Sequence, residues 1–576
     1  MRVLTESELR EAYNQALQRA GMSWPVLIQR AGRAVAQFCA AHFKFATVSV
    51  ICGAGRSGAR GLAALDFLRQ IAESTSLILL AGSPHDLEPD TAEFLHRATE
   101  EPIWISSAED FQAPHVQQAL QADLIIDAIA GDSKPPLSSL FRKAVEAVND
   151  AFGTIVSVDA TSGVDADSTL PFHQSENDAI FAHGIIAFGG PRPAHVFGEL
   201  TSGPIAISEI GVQPALVANE TGLQVITGQE VGIAFPRRLP NAHKGNFGDV
   251  LVIAGSRGKA GAAALAGMAA LRTGAGLVTV ACPASIQETV AGFAPEMMTE
   301  GLPETETRSI AAQAVEVVEQ LMVGKDAVVL GPGLSQHRDT VEFVRSLVAR
   351  CPLPLVVDAD GINAFAGRES DLKAAGAGKF RVLTPHSGEA ARLLGVSTKE
   401  VQADRIKMAR HIATETGSCV VLKGWRTIVA GASGETWINM SGNAAMAKGG
   451  SGDVLSGMIG AALARQVASS APSQQVPAPE LHPPRTWIHE IYGTDSMEKI
   501  RMYRAQQLQS NAAKGADFLK DVSVAGAVHL HGMAGDMARD ELHENTVIAR
   551  DVIDNLSEAF HECELQMERG LFYLQK

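Results

Sequence analysis

Lys448-Gly449-Gly450-Ser451-Gly452-Asp453, running into the apolar stretch Val454 to Ala464, decides how this chain is read. Four small residues let the backbone turn sharply and come close to a ligand. The helix expected to follow aims its first N–H groups into the turn, which favours a phosphate. An aspartate there is badly placed to bind an anion. It is well placed to take a proton from a hydroxyl that attacks a phosphoryl group. A glycine-rich connection with Asp453 as a helix cap fits the same residues, so the surrounding sequence has to separate the two readings.

Upstream of the turn, strand-like and helical runs alternate. Strands are expected at Gly248–Ala254, Leu277–Ala281, Ala327–Leu330, Leu355–Asp358, Arg381–Leu383, Cys419–Leu422 and Thr427–Val429, with a helix over Gly261–Thr273. Such alternation implies a parallel sheet covered on both faces. Most of these strands end in a glycine or polar block: Gly255 to Ala262, Gly331-Pro332-Gly333-Leu334, Asp358 to Asn363, Thr384 to Glu389, and Lys423 to Thr427. In an open parallel sheet these loops converge on one crevice. Any one block could be an ordinary turn; their recurrence after successive strands points to a ligand site.

The first part of the chain has the same texture. Thr5-Glu6-Ser7-Glu8 is a capping box, and helices are expected after it and over Val26–Cys39. Strand-like runs lie at Val48–Cys52, Leu77–Leu80, Leu124–Ile126, Ile155–Asp159 and Ile185–Phe188, with a helix over Leu62–Glu73. The spacing predicts two α/β domains, 1–212 and 236–576, joined by a linker at 213–235. The pattern breaks at 468–522, an expected insertion that reads either as a surface lid or oligomer contact, or as a disordered loop with one loose helix. Gly53-Ala54-Gly55-Arg56-Ser57-Gly58 fits GxGxxG between a strand and a helix, a weak dinucleotide signal alone. The acidic ribose partner is missing, because Leu80 leads into Ala81-Gly82-Ser83. An NAD-dependent dehydrogenase is therefore discounted.

Length and composition agree. A chain of 576 residues exceeds one core. A net charge of −16 argues against non-specific nucleic-acid binding. Six scattered cysteines with no CxxC argue against a metal knuckle or disulfide framework and suit a reducing cytoplasm. The first residues lack a signal core, and no apolar run is long enough to span a membrane. A homo-oligomer is the expected assembly.

The second part resembles the ribokinase-like α/β/α domain of the ADP/ATP-dependent NAD(P)H-hydrate dehydratases. The blocks that carry the resemblance are His243-Lys244-Gly245, Gly274 to Val278, Gly331 to Leu334, Thr384-Pro385-His386 with Gly388-Glu389, Val421 to Gly424, Gly442-Asn443 and Gly449 to Gly457. The resemblance implies repair of NADH or NADPH that has taken up water across a nicotinamide double bond. The hydroxyl is phosphorylated from ADP, and phosphate then leaves. It implies Asp453 as the base, with Gly450 to Gly452 holding the transferred group. Lys423, Gly424, Trp425, Arg426, Thr427 and Gly452 would bind the nucleotide, and Ala262, Gly333, His386 and Asp453 the hydrate. Mg²⁺ is expected for charge neutralisation, although no residue set reads as a metal cage. Lys448 stands where that family usually has threonine, either adding a cation to the site or pointing to solvent.

The first part resembles the Rossmann-like α/β/α NAD(P)H-hydrate epimerase domain, through Ala31-Gly32-Arg33-Ala34, Cys52-Gly53, Ala122 to Ala128, Ser157-Val158-Asp159, Ser162-Gly163 and Phe188-Gly189. The whole thus resembles a bifunctional NAD(P)H-hydrate repair enzyme. The resemblance implies a hydrate-binding Asp159 and potassium held by Ser57, Asp127 and Ser162. The family's Asn-Asn-Gly-Gly-Asp-Gly loop is here Arg56-Ser57-Gly58-Ala59-Arg60-Gly61, and Gly131 to Leu137 also departs from the family's form. Arginines beside a potassium site would repel the ion or replace it. Two readings of this half stand, an epimerase and a scaffold that has lost catalysis. The competing enzyme reading for the whole chain is a small-molecule kinase of the ribokinase superfamily.

Overall fold

The computed structural model describes residues 1–19, 22–130, 138–169, 179–212, 222–238, 240–470, 515–569 and 571–575. The chain divides into two compact units, Met1–Val225 with Arg569–Lys576, and Ile226–Glu568.

The first unit opens with the helix Glu6–Arg19. Its capping box is formed, with Thr5 N–H donating to Glu8 Oε2 at 2.7 Å and Glu8 N–H to Thr5 Oγ1 at 3.4 Å. The strands are β1 (Thr47–Cys52), β2 (Ser74–Leu79), β3 (Ile103–Trp104), β4 (Leu124–Ala128), β5 (Thr154–Val158), β6 (Gly184–Phe188), β7 (Ile205–Ser208) and β8 (Leu223–Val225). Strands β1 to β7 run in the order β7-β6-β5-β4-β1-β2-β3, all parallel, and the final strand of the chain, β18 (Leu571–Gln575), pairs antiparallel with β7. Alternate residues face opposite sides of the sheet. Val48, Val50, Leu124 and Ile126 therefore join one buried cluster while Ile51 and Ile125 join the other. Strand order reverses between β1 and β4, the place where an open α/β sheet leaves a crevice.

The second unit repeats the design. Its strands are β9 (Asp249–Ile253), β10 (Leu277–Pro283), β11 (Met298–Leu302), β12 (Ala327–Leu330), β13 (Leu355–Val357), β14 (Arg381–Leu383), β15 (Cys419–Leu422), β16 (Ile428–Ala430) and β17 (Thr436–Ile438). They run β11-β10-β9-β12-β13-β14-β15-β16-β17, parallel as far as β15 and antiparallel beyond it. The switch point here lies between β9 and β12. Val250, Val252 and Val329 pack on one face with Met458 and Ile459, and Leu251, Ile253 and Leu330 on the other with Phe343 and Leu347.

The helices Ala260–Arg272 and Ser451–Ser470 cross close together at Gly457, where an added Cβ would lie 2.0 Å from the Ala266 carbonyl oxygen. The obstacle is backbone, so the helices must separate to admit a methyl group. Gly457→Ala is expected to lower stability by about 1–3 kcal/mol, read by urea unfolding; an unchanged midpoint would show that the crossing has room.

Several expectations are corrected. The junction expected over 213–235 already contains β8 and a capped helix of the second unit, Gly228–Ala234, and the last strand returns to the first unit's sheet. The helix expected over Leu62–Glu73 runs Arg56–Leu68, so the second half of the glycine loop, Arg56-Ser57-Gly58, is its first turn. The ends of the expected insertion, 468–470 and 516–522, lie in the helices Ser451–Ser470 and Ala516–Glu541. The rest of it, and the Gly131 to Leu137 loop, lie outside the described residues. Among the described residues no helix is long and apolar enough to cross a membrane.

Candidate active sites

The second unit's site is built around one carboxylate that the sequence patterns left without a role. Asp358, at the end of β13, is buried. Its Oδ1 accepts from Lys423 Nζ at 2.8 Å and Thr384 Oγ1 at 2.7 Å, and its Oδ2 from Ser456 Oγ at 2.6 Å. Lys423 follows β15, and its ammonium also lies 3.9 Å from Glu389 Oε2. Burial works against both charges. The pairing overcomes it, holding Asp358 below the usual carboxylate range and Lys423 above the usual ammonium value.

Over this pair lies the glycine turn. Gly450 has φ +95°, a left-handed conformation in which a side chain would be strained, and an added Cβ would also meet Leu265 Cδ1 at 2.7 Å. A Cβ on Gly452 would come within 3.3 Å of Lys423 Nζ. The long helix starts at Ser451, whose N–H donates to the Lys448 carbonyl at 3.4 Å, while those of Gly452 and Asp453 have no helical carbonyl partner. Asp453 sits in that first turn. Burial first, then the neighbouring Asp358 carboxylate, push its carboxyl up to about 6, against the pull of Lys423. A carboxylate so tuned is basic enough to take a proton near neutral pH.

Asp453 opens into a cleft of about 620 Å³ lined by Lys259, Ala262, Gly333, Asp360 and His386 among others. Lys259 and Asp360 form an ion pair of 3.1 Å at this cleft. His386 caps the helix Ser387–Leu394, its Nδ1 accepting from the N–H groups of Gly388 and Glu389 at 3.0 and 3.3 Å. That leaves Nε2 as the protonated ring nitrogen of the neutral form. Gly424 to Thr427 lie outside the cleft lining. Arg405 holds their loop by donating to the carbonyls of Leu422, Lys423 and Trp425. Trp425 is 61% exposed, with the Arg426 guanidinium 4.9 Å from its ring, and Thr427 Oγ1 donates to the Gly424 carbonyl at 2.8 Å.

In the first unit the corresponding polar residues gather at the ends of β4 and β5. Both oxygens of buried Asp127 are taken: Oδ1 by Ser162 Oγ and Ile129 N–H at 2.6 and 3.2 Å, Oδ2 by Ser157 Oγ and Ser162 N–H at 2.7 and 3.1 Å. Asp159 is buried and paired with Arg60, Nη1 to Oδ2 at 2.7 Å. Its backbone has φ +72°, a strained conformation of the kind that collects at functional sites. His195 accepts from Arg192 N–H at Nδ1 (3.0 Å), and its Nε2–H donates to the Asp159 carbonyl at 2.9 Å. Burial pulls the His195 pKa down to about 4, so the ring stays neutral.

Comparison with known proteins decides the family. A model for NAD(P)H-hydrate dehydratase matches residues 250–506, and one for the YjeF-related protein N-terminus matches residues 25–194. The bifunctional NAD(P)H-hydrate repair enzyme of Moorella thermoacetica is 31% identical over 557 residues, covering 94% of this chain and 93% of that protein. The chain belongs to the bifunctional NAD(P)H-hydrate repair enzyme family. Its relative of that name in Escherichia coli is 30% identical over 465 residues, 80% of this chain and 84% of that protein. A crystal structure of the ADP/ATP-dependent NAD(P)H-hydrate dehydratase of Bacillus subtilis, co-crystallised with ATP/Mg²⁺, is 25% identical. It aligns with TM-score 0.42 over 59% of this chain and 98% of its own.

Set in this family, the expected residues separate into groups. Ala262, Gly333, His386 and Asp453 share one cleft. Lys423, expected to meet a nucleotide by charge, has its ammonium 2.8 Å from Asp358 Oδ1. Lys448 was expected to add a cation or face solvent, and it donates to the Asn545 carbonyl at 2.6 Å. Sequence reasoning missed Asp358, Thr384 and Ser456. Asp358 and Thr384 stood in quoted strand-end blocks, and Ser456 lies three residues beyond Asp453, so position alone could have nominated them. Potassium at Ser57, Asp127 and Ser162 does not fit. The Asp127 oxygens already accept four hydrogen bonds, and the Ser162 hydroxyl donates to Asp127 and accepts from Ala130 N–H at 2.9 Å. Among the described residues no cluster of His, Cys, Asp or Glu could hold a metal ion.

Proposed function

We propose that this chain restores hydrated NADH and NADPH, with Asp453 as the base that starts dehydration in the second unit. The carrying observation is Asp453 itself, a carboxyl tuned to about 6, in the first turn of a long helix and facing a cleft. The substrate hydroxyl gives its proton to Asp453, and its oxygen attacks the β-phosphorus of ADP. The bond from that phosphorus to the bridging oxygen breaks, and AMP departs. The N–H groups of Gly452 and Asp453 at the head of that helix stabilise charge on the moving group. Phosphate then leaves the ring carbon with the bonding pair, the neighbouring carbon loses a proton, and the double bond returns. Mg²⁺ enters with the nucleotide, bound to its phosphates, as part of that substrate.

In this reading Ala262, Gly333 and His386 bound the nicotinamide, with His386 offering Nε2–H as a donor. Gly424, Trp425, Arg426 and Thr427 take the nucleotide, Trp425 through its exposed ring face. Trp425→Ala should raise KM for ADP about 2–10-fold, the worth of one stacked aromatic, and leave kcat near the parent value. An unmoved KM would place the nucleotide elsewhere. Lys423 contributes from below, neutralising Asp358 and limiting how far Asp453 is pushed up. The first unit interconverts the R and S hydrates around Asp159.

The test supplies separated hydrate epimers with ADP or ATP. S hydrate should yield NADH, AMP and phosphate in equal amounts with ADP. R hydrate should be consumed faster than it racemises unaided. A stable phosphorylated product without NADH would favour the kinase reading, and unaccelerated R consumption would leave the first unit a scaffold.

A further inference from the structure

We infer that Arg60 is the resident cation of the first unit's site, and that this site therefore takes no alkali ion. The inference does not depend on whether the unit epimerises. Arg60 lies on the helix Arg56–Leu68 and is buried, as is its partner Asp159. Besides the 2.7 Å contact with Asp159, its Nη2 donates to Tyr13 Oη at 3.3 Å. The guanidinium lies 5.3 Å from the centre of the Phe188 ring and 5.8 Å from that of Tyr13. A carboxylate, a phenol oxygen and two aromatic faces form a cage suited to a planar cation.

The oxygens expected to hold potassium are committed elsewhere. An alkali ion binds oxygen lone pairs. Those of Asp127 receive donors from Ser157, Ser162 and Ile129, and the Ser162 hydroxyl is engaged as donor and acceptor. Ser57 lies three residues before Arg60 on the same helical face, so an ion there would stand close to the guanidinium and be repelled by it. The remaining Asp159 oxygen, Oδ1, is buried without a hydrogen-bond partner among the described residues. The carboxylate is thus half neutralised by Arg60 and half open to a donor, with its backbone held in place by neutral His195.

Amide hydrogen exchange of the full-length chain tests this, followed in peptides covering 56–68 and 157–166. For the parent, exchange in both peptides should be the same in choline, sodium and potassium chloride at equal ionic strength. Potassium-specific slowing there would overturn the inference. Arg60→Ala should exchange several-fold faster in both, and guanidinium ion at low concentration should slow it again by refilling the cage. Absence of that rescue would also overturn it. If Arg60→Ala does not fold, Arg60→Lys keeps the charge and is compared in the same three salts. Insensitivity to potassium is expected, and potassium-specific slowing contradicts the inference.

Discussion

Asp453→Asn is expected to lower kcat for hydrate dehydration by roughly 10²–10⁴-fold, the range for loss of a positioned general base. The substitution keeps the shape of the side chain and removes only its ability to take a proton. Circular dichroism and the melting midpoint should stay close to the parent, because Asp453 makes no ion pair among the described residues. The parent's pH profile follows from the same group. With its carboxyl held at about 6 by burial and by Asp358, the base is ionised above that pH and protonated below it. Activity should fall about tenfold per pH unit on the acid side of 6. Near-normal turnover of Asp453→Asn, or a parent profile flat down to pH 4, would remove Asp453 from the role.

Lys423→Met should have the largest combined effect on stability and rate. It leaves Asp358 buried with hydroxyl donors but without its counter-ion, 2.8 Å away in the parent. Removing one partner of such a pair costs about 3–5 kcal/mol, which urea unfolding would register. Lys423 also pulls the Asp453 carboxyl down while Asp358 pushes it up. Without the lysine the acid limb of the rate profile should move to higher pH, a readout that mere loosening of the fold would not produce. Stability within 1 kcal/mol of the parent together with an unmoved limb would contradict the account.

How far the sequence could be read depended on the range of the interaction. Strands of four or more apolar residues at regular spacing, such as Ala327–Leu330 and Cys419–Leu422, were legible from their own composition. The short strands Ile103–Trp104 and Thr436–Ile438 were not, since each has too few residues to show a period. The Asp453 turn was legible because glycine, aspartate and the helix that follows are contiguous. The ion pair beneath it was hidden: Asp358 meets Lys423 across 65 positions and Ser456 across 98. Arg60 was visible as a departure from its family's loop, yet its partner Asp159 is 99 residues away. No local pattern distinguishes an arginine facing solvent from one buried on an aspartate.

The central claim is that the second unit dehydrates a nicotinamide hydrate through Asp453. It is tested most directly by adding ADP to chemically prepared S hydrate and following NADH absorbance with the parent and Asp453→Asn side by side. The account predicts recovery of NADH matched by AMP and phosphate for the parent, and recovery at least a hundredfold slower for the variant. No recovery with the parent, or equal recovery with both, would contradict it.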